Sequence, residues 1–241
     1  MRIRHIRSAL CLAALILLFP QPGWSAAAGF CNAWFPTPEG ARWEYEETSG
    51  AGRARAIRSV VVISARKDNG NEIAELRQTV REAARKSQAR AAGVTEVRCQ
   101  EGNLTLTTRG AAQGKSGRAK STGRVTAVLP GLPAANLLKP GYRWRSASRI
   151  EAQEPGTTIV VEGKRESRIG KASSIEVPAG DFSDVLLVEI RQTLSRAGSS
   201  PVEQAIREWY VRGVGLVQRE TRVLKGTPES FTTEKLRHFS R

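Results

Sequence analysis

From residue 35 onward, apolar and polar side chains alternate along the chain with a period of two. Ala41, Trp43 and Tyr45 interleave with Arg42, Glu44 and Glu46, while Tyr142, Trp144 and Ile150 share one face and Arg143, Arg145 and Arg149 take the other. Successive side chains of an extended strand point to opposite faces, so the alternation predicts strands with one covered and one wet face, the antiparallel habit. Further strands are predicted at 57–65, 72–81, 94–100, 103–109, 122–129, 157–169, 184–195, 203–212, 215–224 and 231–238, with Gly, Pro, Asn and Ser as punctuation. No stretch carries the 3.6-residue apolar period of an amphipathic helix. Residues 81–92 hold good helix formers, but alanines are their only apolar side chains. They read as a mobile connection or hairpin tip, with a short exposed helix as the alternative.

Three short segments recur in the same order. Pro38-Glu39-Gly40-Ala41-Arg42-Trp43 is echoed by Lys139-Pro140-Gly141-Tyr142-Arg143-Trp144, and Glu75-Leu76-Arg77-Gln78-Thr79-Val80 by Glu189-Ile190-Arg191-Gln192-Thr193-Leu194. Val97–Gly102 corresponds more loosely to Glu208–Gly213. That order predicts an internal duplication, its halves joined by Pro130-Gly131-Leu132-Pro133. A lone half, with its few strands, would leave an apolar face exposed. The expected fold is therefore all-β: two tandem antiparallel meander repeats, residues 29–129 and 130–241, packed as one unit into a large curved sheet, an open barrel or a two-layer sandwich.

Residues 1–28 follow a different pattern. Arg2, Arg4 and Arg7 precede an apolar run from Ala9 to Phe19, followed by Pro20, Pro22 and the small residues Ser25, Ala26, Ala27 and Ala28. This is the layout of a cleavable signal peptide; the run is well short of the roughly 20 residues a bilayer crossing needs. Cleavage within 25–28 predicts a periplasmic or secreted protein with no remaining transmembrane span. Phe30 precedes Cys31 where a lipid-anchoring signal needs a small residue, so no lipid anchor is expected. Cys11 leaves with the leader, and an oxidising compartment favours a bridge between the remaining thiols, Cys31 and Cys99. The bridge would close a loop of 68 residues. On the chain-entropy account it stabilises by roughly 4 kcal/mol.

Charge adds a second feature. The chain has 38 Lys and Arg against 23 Asp and Glu, a formal +15 that falls to +12 once the three leader arginines are removed. Ten of the basic residues lie between Arg81 and Arg124, against three Glu. Such a surplus attracts anionic partners. The segment lacks the interleaved aromatics of a single-strand nucleic-acid platform, and no specific nucleic acid is expected.

Catalytic chemistry is thinly supplied. His238 is the one imidazole past the leader, and zinc would need three or four clustered ligands. Gly110-Ala111-Ala112-Gln113-Gly114-Lys115-Ser116 has three residues between its glycines where a phosphate loop has four. No metal, cofactor or catalytic residue is expected.

Trp34-Phe35-Pro36 with Gly40 and Trp43, the turn Val177-Pro178-Ala179-Gly180-Asp181-Phe182, and the close Trp209-Tyr210-Val211-Arg212-Gly213-Val214-Gly215-Leu216-Val217 resemble a broad group of exported bacterial β-proteins of unknown function. Its members typically show a V-P-A-G-x-F turn and a W-Y-x-x-G-V-G-L-V hairpin, and many look like lipoproteins. Both motifs also have a folding reason: Pro178 presets φ for a turn, while Gly180, Gly213 and Gly215 can take positive φ.

These observations together predict a non-catalytic envelope protein that binds or chaperones an apolar or anionic envelope component such as a lipid or lipoprotein. Trp43, Tyr45, Trp144 and Trp209 would line an apolar concavity or fill the core, and Arg81, Arg85, Lys86, Arg90, Lys115, Arg118, Lys120 and Arg124 would form a basic rim. The alternatives are an assembly accessory that docks another envelope protein through a sheet edge or basic loop and, more remotely, a hydrolase working with carboxylates alone.

Overall fold

The computed structural model describes residues 32–50, 52, 54–83, 90–112, 123–154, 157–226 and 230–241. Its strands are β1 (Arg42–Ser49), β2 (Ala54–Asp68), β3 (Asn71–Glu82), β4 (Arg90–Gln100), β5 (Asn103–Ala112), β6 (Gly123–Pro130) and β7 (Arg143–Glu154). They continue as β8 (Thr157–Ile169), β9 (Ser174–Val177), β10 (Gly180–Ser183), β11 (Val185–Arg196), β12 (Val202–Val211), β13 (Gly215–Lys225) and β14 (Phe231–Ser240). Among the described residues the sole helical element is a 3₁₀ turn at Ala135–Leu137. Residues 81–92 are divided between the end of β3 and the start of β4, with 84–89 outside the described residues.

Twelve strands form one antiparallel sheet in the order β1-β14-β13-β12-β11-β8-β7-β6-β5-β4-β3-β2. Because β1 pairs with both β14 and β2, the sheet closes into a barrel. Closure takes the expected curved sheet one step further, and its physical gain is that the two terminal strands satisfy each other's backbone groups. It also corrects one expectation: a partner has no barrel edge on which to dock, since every barrel strand has a neighbour on each side.

β9 and β10 form a separate hairpin with Pro178 and Ala179 as its two-residue turn and Gly180 at φ +134°. Its tip reaches the barrel where the Ala179 N–H donates to the Leu236 carbonyl at 3.0 Å. That contact lies just past a short seam: β13 and β14 are paired only from Gln218↔Lys235 to Arg222↔Phe231.

The alternation read from the sequence sorts side chains into barrel lumen and outer surface. In β1, Trp43 and Tyr45 are buried between exposed or half-buried neighbours. Antiparallel connectivity sends the strand ends to two opposite rims. One rim carries the segments 69–70, 101–102, 131–142, 170–184 and 212–214 together with the incoming chain at Asn32; the other carries the connections after β1, β3, β5, β7, β11 and β13. The buried apolar cluster occupies the first half of the lumen and includes Trp43, Val62, Ala74, Val97, Leu104, Leu132, Val188, Val214 and Leu236. Toward the second rim the inward aliphatics Val80, Val125, Ile150, Ile159, Leu194 and Val202 are half-buried, whereas Val223 is buried.

Candidate functional site

The incoming segment Asn32–Thr37 plugs the first rim. Asn32 is fully buried, and its side-chain amide donates to the carbonyls of Gly102 (3.1 Å) and Pro133 (3.0 Å) while its Oδ1 accepts from the Trp34 N–H (3.0 Å). The Gly213 N–H donates to the Ala33 carbonyl at 2.8 Å. Gly213 and Gly215 sit at φ +77° and +98°, where a side chain would be strained, and a β-carbon on Gly215 would lie 3.6 Å from Pro36. The W-Y-x-x-G-V-G-L-V hairpin thus forms part of the seat of the plug. Cys99, buried beside Leu104, is disulfide-bonded, and Cys31 lies outside the described residues.

Behind the plug lie two adjoining chambers. The larger, of about 280 Å³, is walled by Phe35, Trp43, Val60, Leu76, Leu106 and Leu216, with Arg58, Gln78, Thr95 and Thr108 on its polar side. The smaller, of about 90 Å³, is walled by Trp144, Ser146, Arg165, Ser167, Glu208 and Tyr210. Phe35, Leu106, Leu129, Leu216 and Arg219 border both.

On the second-rim side of the apolar half runs an ion-paired layer. Arg58 donates twice to Glu234, from Nε to Oε1 (2.8 Å) and from Nη2 to Oε2 (3.2 Å). Arg219 bridges Glu208 (Nε to Oε1, 2.9 Å) and Glu234 (Nη1 to Oε2, 3.3 Å), and the Tyr210 hydroxyl donates to Glu208 Oε2 at 2.8 Å. Burial by itself would raise the pKa of Glu208; the guanidiniums of Arg219 and Arg165 and the bonds from Tyr210 and Arg219 outweigh it and hold the carboxyl below its usual range. Glu234 is lowered in the same way, burial being outweighed by Arg58 and Arg219. Burial, reinforced by Glu208, pushes the Tyr210 hydroxyl well up. Both carboxylates therefore stay ionised near neutral pH and serve as anchors rather than proton donors.

Arg219 owes its inward position to a β-bulge. The register passes from Trp209↔Gln218 to Tyr210↔Leu216, so Val217 is the extra residue and Leu216 and Arg219, three apart, both face the lumen.

The sequence-predicted residues fall as follows. Trp43 and Tyr45 line the large chamber; Trp43 Nε1 donates to the Val214 carbonyl (2.7 Å) and the Tyr45 hydroxyl to that of Leu216 (3.0 Å). Trp144 lines the small chamber and stacks on Tyr142 at 5.8 Å. Trp209 borders neither chamber, because alternation turns it away from its lumenal neighbours Glu208 and Tyr210, and it packs against the hydrophobic core instead. It is half-buried in strand register with Leu187 and Gln218. Of the basic rim, Arg81, Arg90 and Arg124 lie in strands β3, β4 and β6 near the second rim, whereas Arg85, Lys86, Lys115, Arg118 and Lys120 lie outside the described residues. A further basic surface was not foreseen: Arg143, Arg145, Arg168, Arg191 and Arg207 border an open depression on β7, β8, β11 and β12, with Glu166 and Glu189 partnering two of them.

The lumenal ions Arg58, Arg165, Glu208, Arg219 and Glu234 were also missed. For most of them a signal was present, since Arg58 lies in phase with Val60 and Val62, Arg165 with Ile169, Glu208 with Ile206 and Tyr210, and Glu234 with Leu236. Among the described residues, no group of three or more His, Cys, Asp or Glu is placed to hold a metal ion.

A plugged, ion-paired lumen within twelve strands defines a closed antiparallel β-barrel protein. This chain belongs to the DUF3108-like family, whose profile matches residues 38–233. The fold is similar to that of a proposed lipoprotein from Parabacteroides distasonis, at a TM-score of 0.63 and 18% identity over 87% of this chain and 99% of that one. It is also similar to a proposed exported protein with a YmcC-like fold from Bacteroides fragilis, at a TM-score of 0.60 and 16% identity over 86% and 98% of the two chains. No curated protein matches the sequence.

Proposed function

We propose that this protein is a non-catalytic exported envelope protein that takes a small amphiphilic envelope component into its barrel. The observation that carries the reading is the chamber of about 280 Å³, walled by Phe35, Trp43, Val60, Leu76, Leu106 and Leu216 on one side and by polar groups on the other. Small-molecule sites are concave, mostly apolar and fitted with a few oriented polar groups. The chamber lies near the lower end of the usual range of about 300–1,000 Å³ for such sites, which favours a single-chain molecule over a two-chain lipid.

Export is supported by the leader-like residues 1–28 and by the proposed exported and lipoprotein character of the two structural neighbours. Arg81, Arg90 and Arg124 lie on strands near the second rim, and the basic surplus of residues 81–124 would concentrate anionic molecules. Glu208 and Glu234, both committed to guanidiniums, offer no free acid for hydrolysis.

Native mass spectrometry of the protein purified from the periplasm tests the reading. A reproducible bound mass of one small amphiphile is the expected result. A clean unliganded mass across preparations, with no uptake of added single-chain amphiphiles, overturns it.

A further inference from the structure

Among the described residues, one guanidinium of the lumenal ion layer has no carboxylate at ion-pair distance. Arg58, Arg165 and Arg219 face Glu208 and Glu234, and four of these five are mutually engaged. Arg165 is the exception. Its Nη1 donates to the Pro130 carbonyl at 3.5 Å, and its buried Nε has no hydrogen-bond partner. Glu208 is close enough to feel this charge, but its two oxygens already accept from Arg219 and Tyr210. Glu47, opposite Glu234 in the β1–β14 register, belongs to the same lumenal face. Ser146, opposite Arg165 in the β7–β8 register, has a buried hydroxyl that is likewise unpartnered. Both residues border the 90 Å³ chamber.

A buried polar atom without a partner is costly, and Arg165 and Ser146, opposite one another on the wall of the small chamber, each carry one, so a negative group entering there would offset that cost. From this geometry we infer that Arg165, with Ser146, is the anion seat of the lumen, and that the molecule taken up is a single-chain alkyl carboxylate with its head in the small chamber and its tail in the large one. The inference rests on the proposed function and specifies its ligand class. Sizes agree: a liquid-like water occupies about 30 Å³, so the small chamber suits a carboxylate, and an apolar cavity of about 150 Å³ already accepts benzene, so the large one suits a chain of about ten carbons.

The test compares decanoate with 1-decanol on the folded, disulfide-intact protein, read by native mass spectrometry and by the fluorescence of Trp43 and Trp144. A hydrogen bond to a charged group is worth enough that decanoate is expected to bind about tenfold or more tightly. Arg165→Gln is expected to abolish that preference while leaving decanol affinity nearly unchanged, and Arg165→Lys to retain part of it. Circular dichroism and the retained decanol binding show that the variants are folded. Equal affinities in the wild type, or a preference that survives Arg165→Gln, overturn the anion seat and leave the lumenal reading standing. Failure of both ligands to bind the wild type overturns the two together.

Discussion

At the plugged end of the barrel, main-chain and side-chain groups interlock: Asn32 ties three segments together, Trp43 is hydrogen-bonded to the Val214 carbonyl, and Leu132, Leu138 and Val214 are buried. At the opposite rim most inward aliphatics, Val223 excepted, are half-buried, and Leu224 and Phe231 are exposed. The same strands supply both ends, so the difference does not come from strand propensity. It comes from what the connections carry. Long segments rich in Pro, Gly and Leu return across the first rim, while the connections of the second are polar or basic. Packing is thereby concentrated at one end.

The largest expected effect is on the covalent tie at the plug. If Cys31 is the partner of Cys99, Cys99→Ser should lower unfolding free energy by about 4 kcal/mol in urea titrations, and reductant should do the same to the wild type. An unchanged urea midpoint in both experiments would remove the covalent part of the contrast.

Next comes the ion layer that divides the two ends. Glu208→Ala leaves Arg219 and Tyr210 without their shared acceptor and should cost about 3 kcal/mol, the lower part of the range for breaking a buried pair because Arg219 keeps some exposure. The same layer predicts acid sensitivity. Glu208 and Glu234 titrate lower in the folded than in the unfolded chain, so their stabilisation is present above about pH 4.3 and is lost as pH falls through their folded values. The melting temperature should hold from neutral pH to the upper edge of that region and drop below it. Glu208→Gln should flatten the drop, and an equally steep acid limb in that variant would contradict the assignment.

A smaller contrast is set by two glycines. A β-carbon on Gly131, at the plugged end, would meet the Leu104 β-carbon at 2.4 Å. Gly131→Ala should cost about 2 kcal/mol by overpacking. At Gly198, on the second rim, a β-carbon meets nothing within 4 Å and only the φ of +72° opposes it. Gly198→Ala should cost about 1 kcal/mol. Thermal melts of the pair should rank in that order.

The smallest effect belongs to the outer surface. Arg149 pairs with Glu151 at 2.8 Å and Glu162 at 3.6 Å in exposed positions, and Arg149→Ala should change stability by at most about 0.5 kcal/mol.

Period-two alternation made all twelve barrel strands legible, because each hides one face. β9 and β10 were visible only as the Pro178 turn, since four-residue strands are too short to show a period. The echoed segments fall on the first, third and fourth barrel strands of each set of six, counting β1–β6 and then β7, β8 and β11–β14. Closure was not legible, because a strand pattern records which face is covered and not whether the last strand meets the first. The site was less legible than the fold. Trp43 and Tyr45 could be placed from alternation, but the Val217 bulge reverses parity within β13, so no fixed period would turn Arg219 inward. Arg165 and Ser146 come together only through the β7–β8 register.

The brief pairing of β13 with β14 also has a dynamic consequence. A ring of strands yields first at its shorter stitches, and here two joins, β13–β14 (Gln218↔Lys235 to Arg222↔Phe231) and β6–β7 (Arg124↔Gln153 to Val128↔Arg149), are each held by five residue pairs. Amide protons along these two stitches should exchange with solvent ahead of those in the long β2–β3 and β7–β8 ladders, making them the places where the wall parts sideways when the molecule breathes.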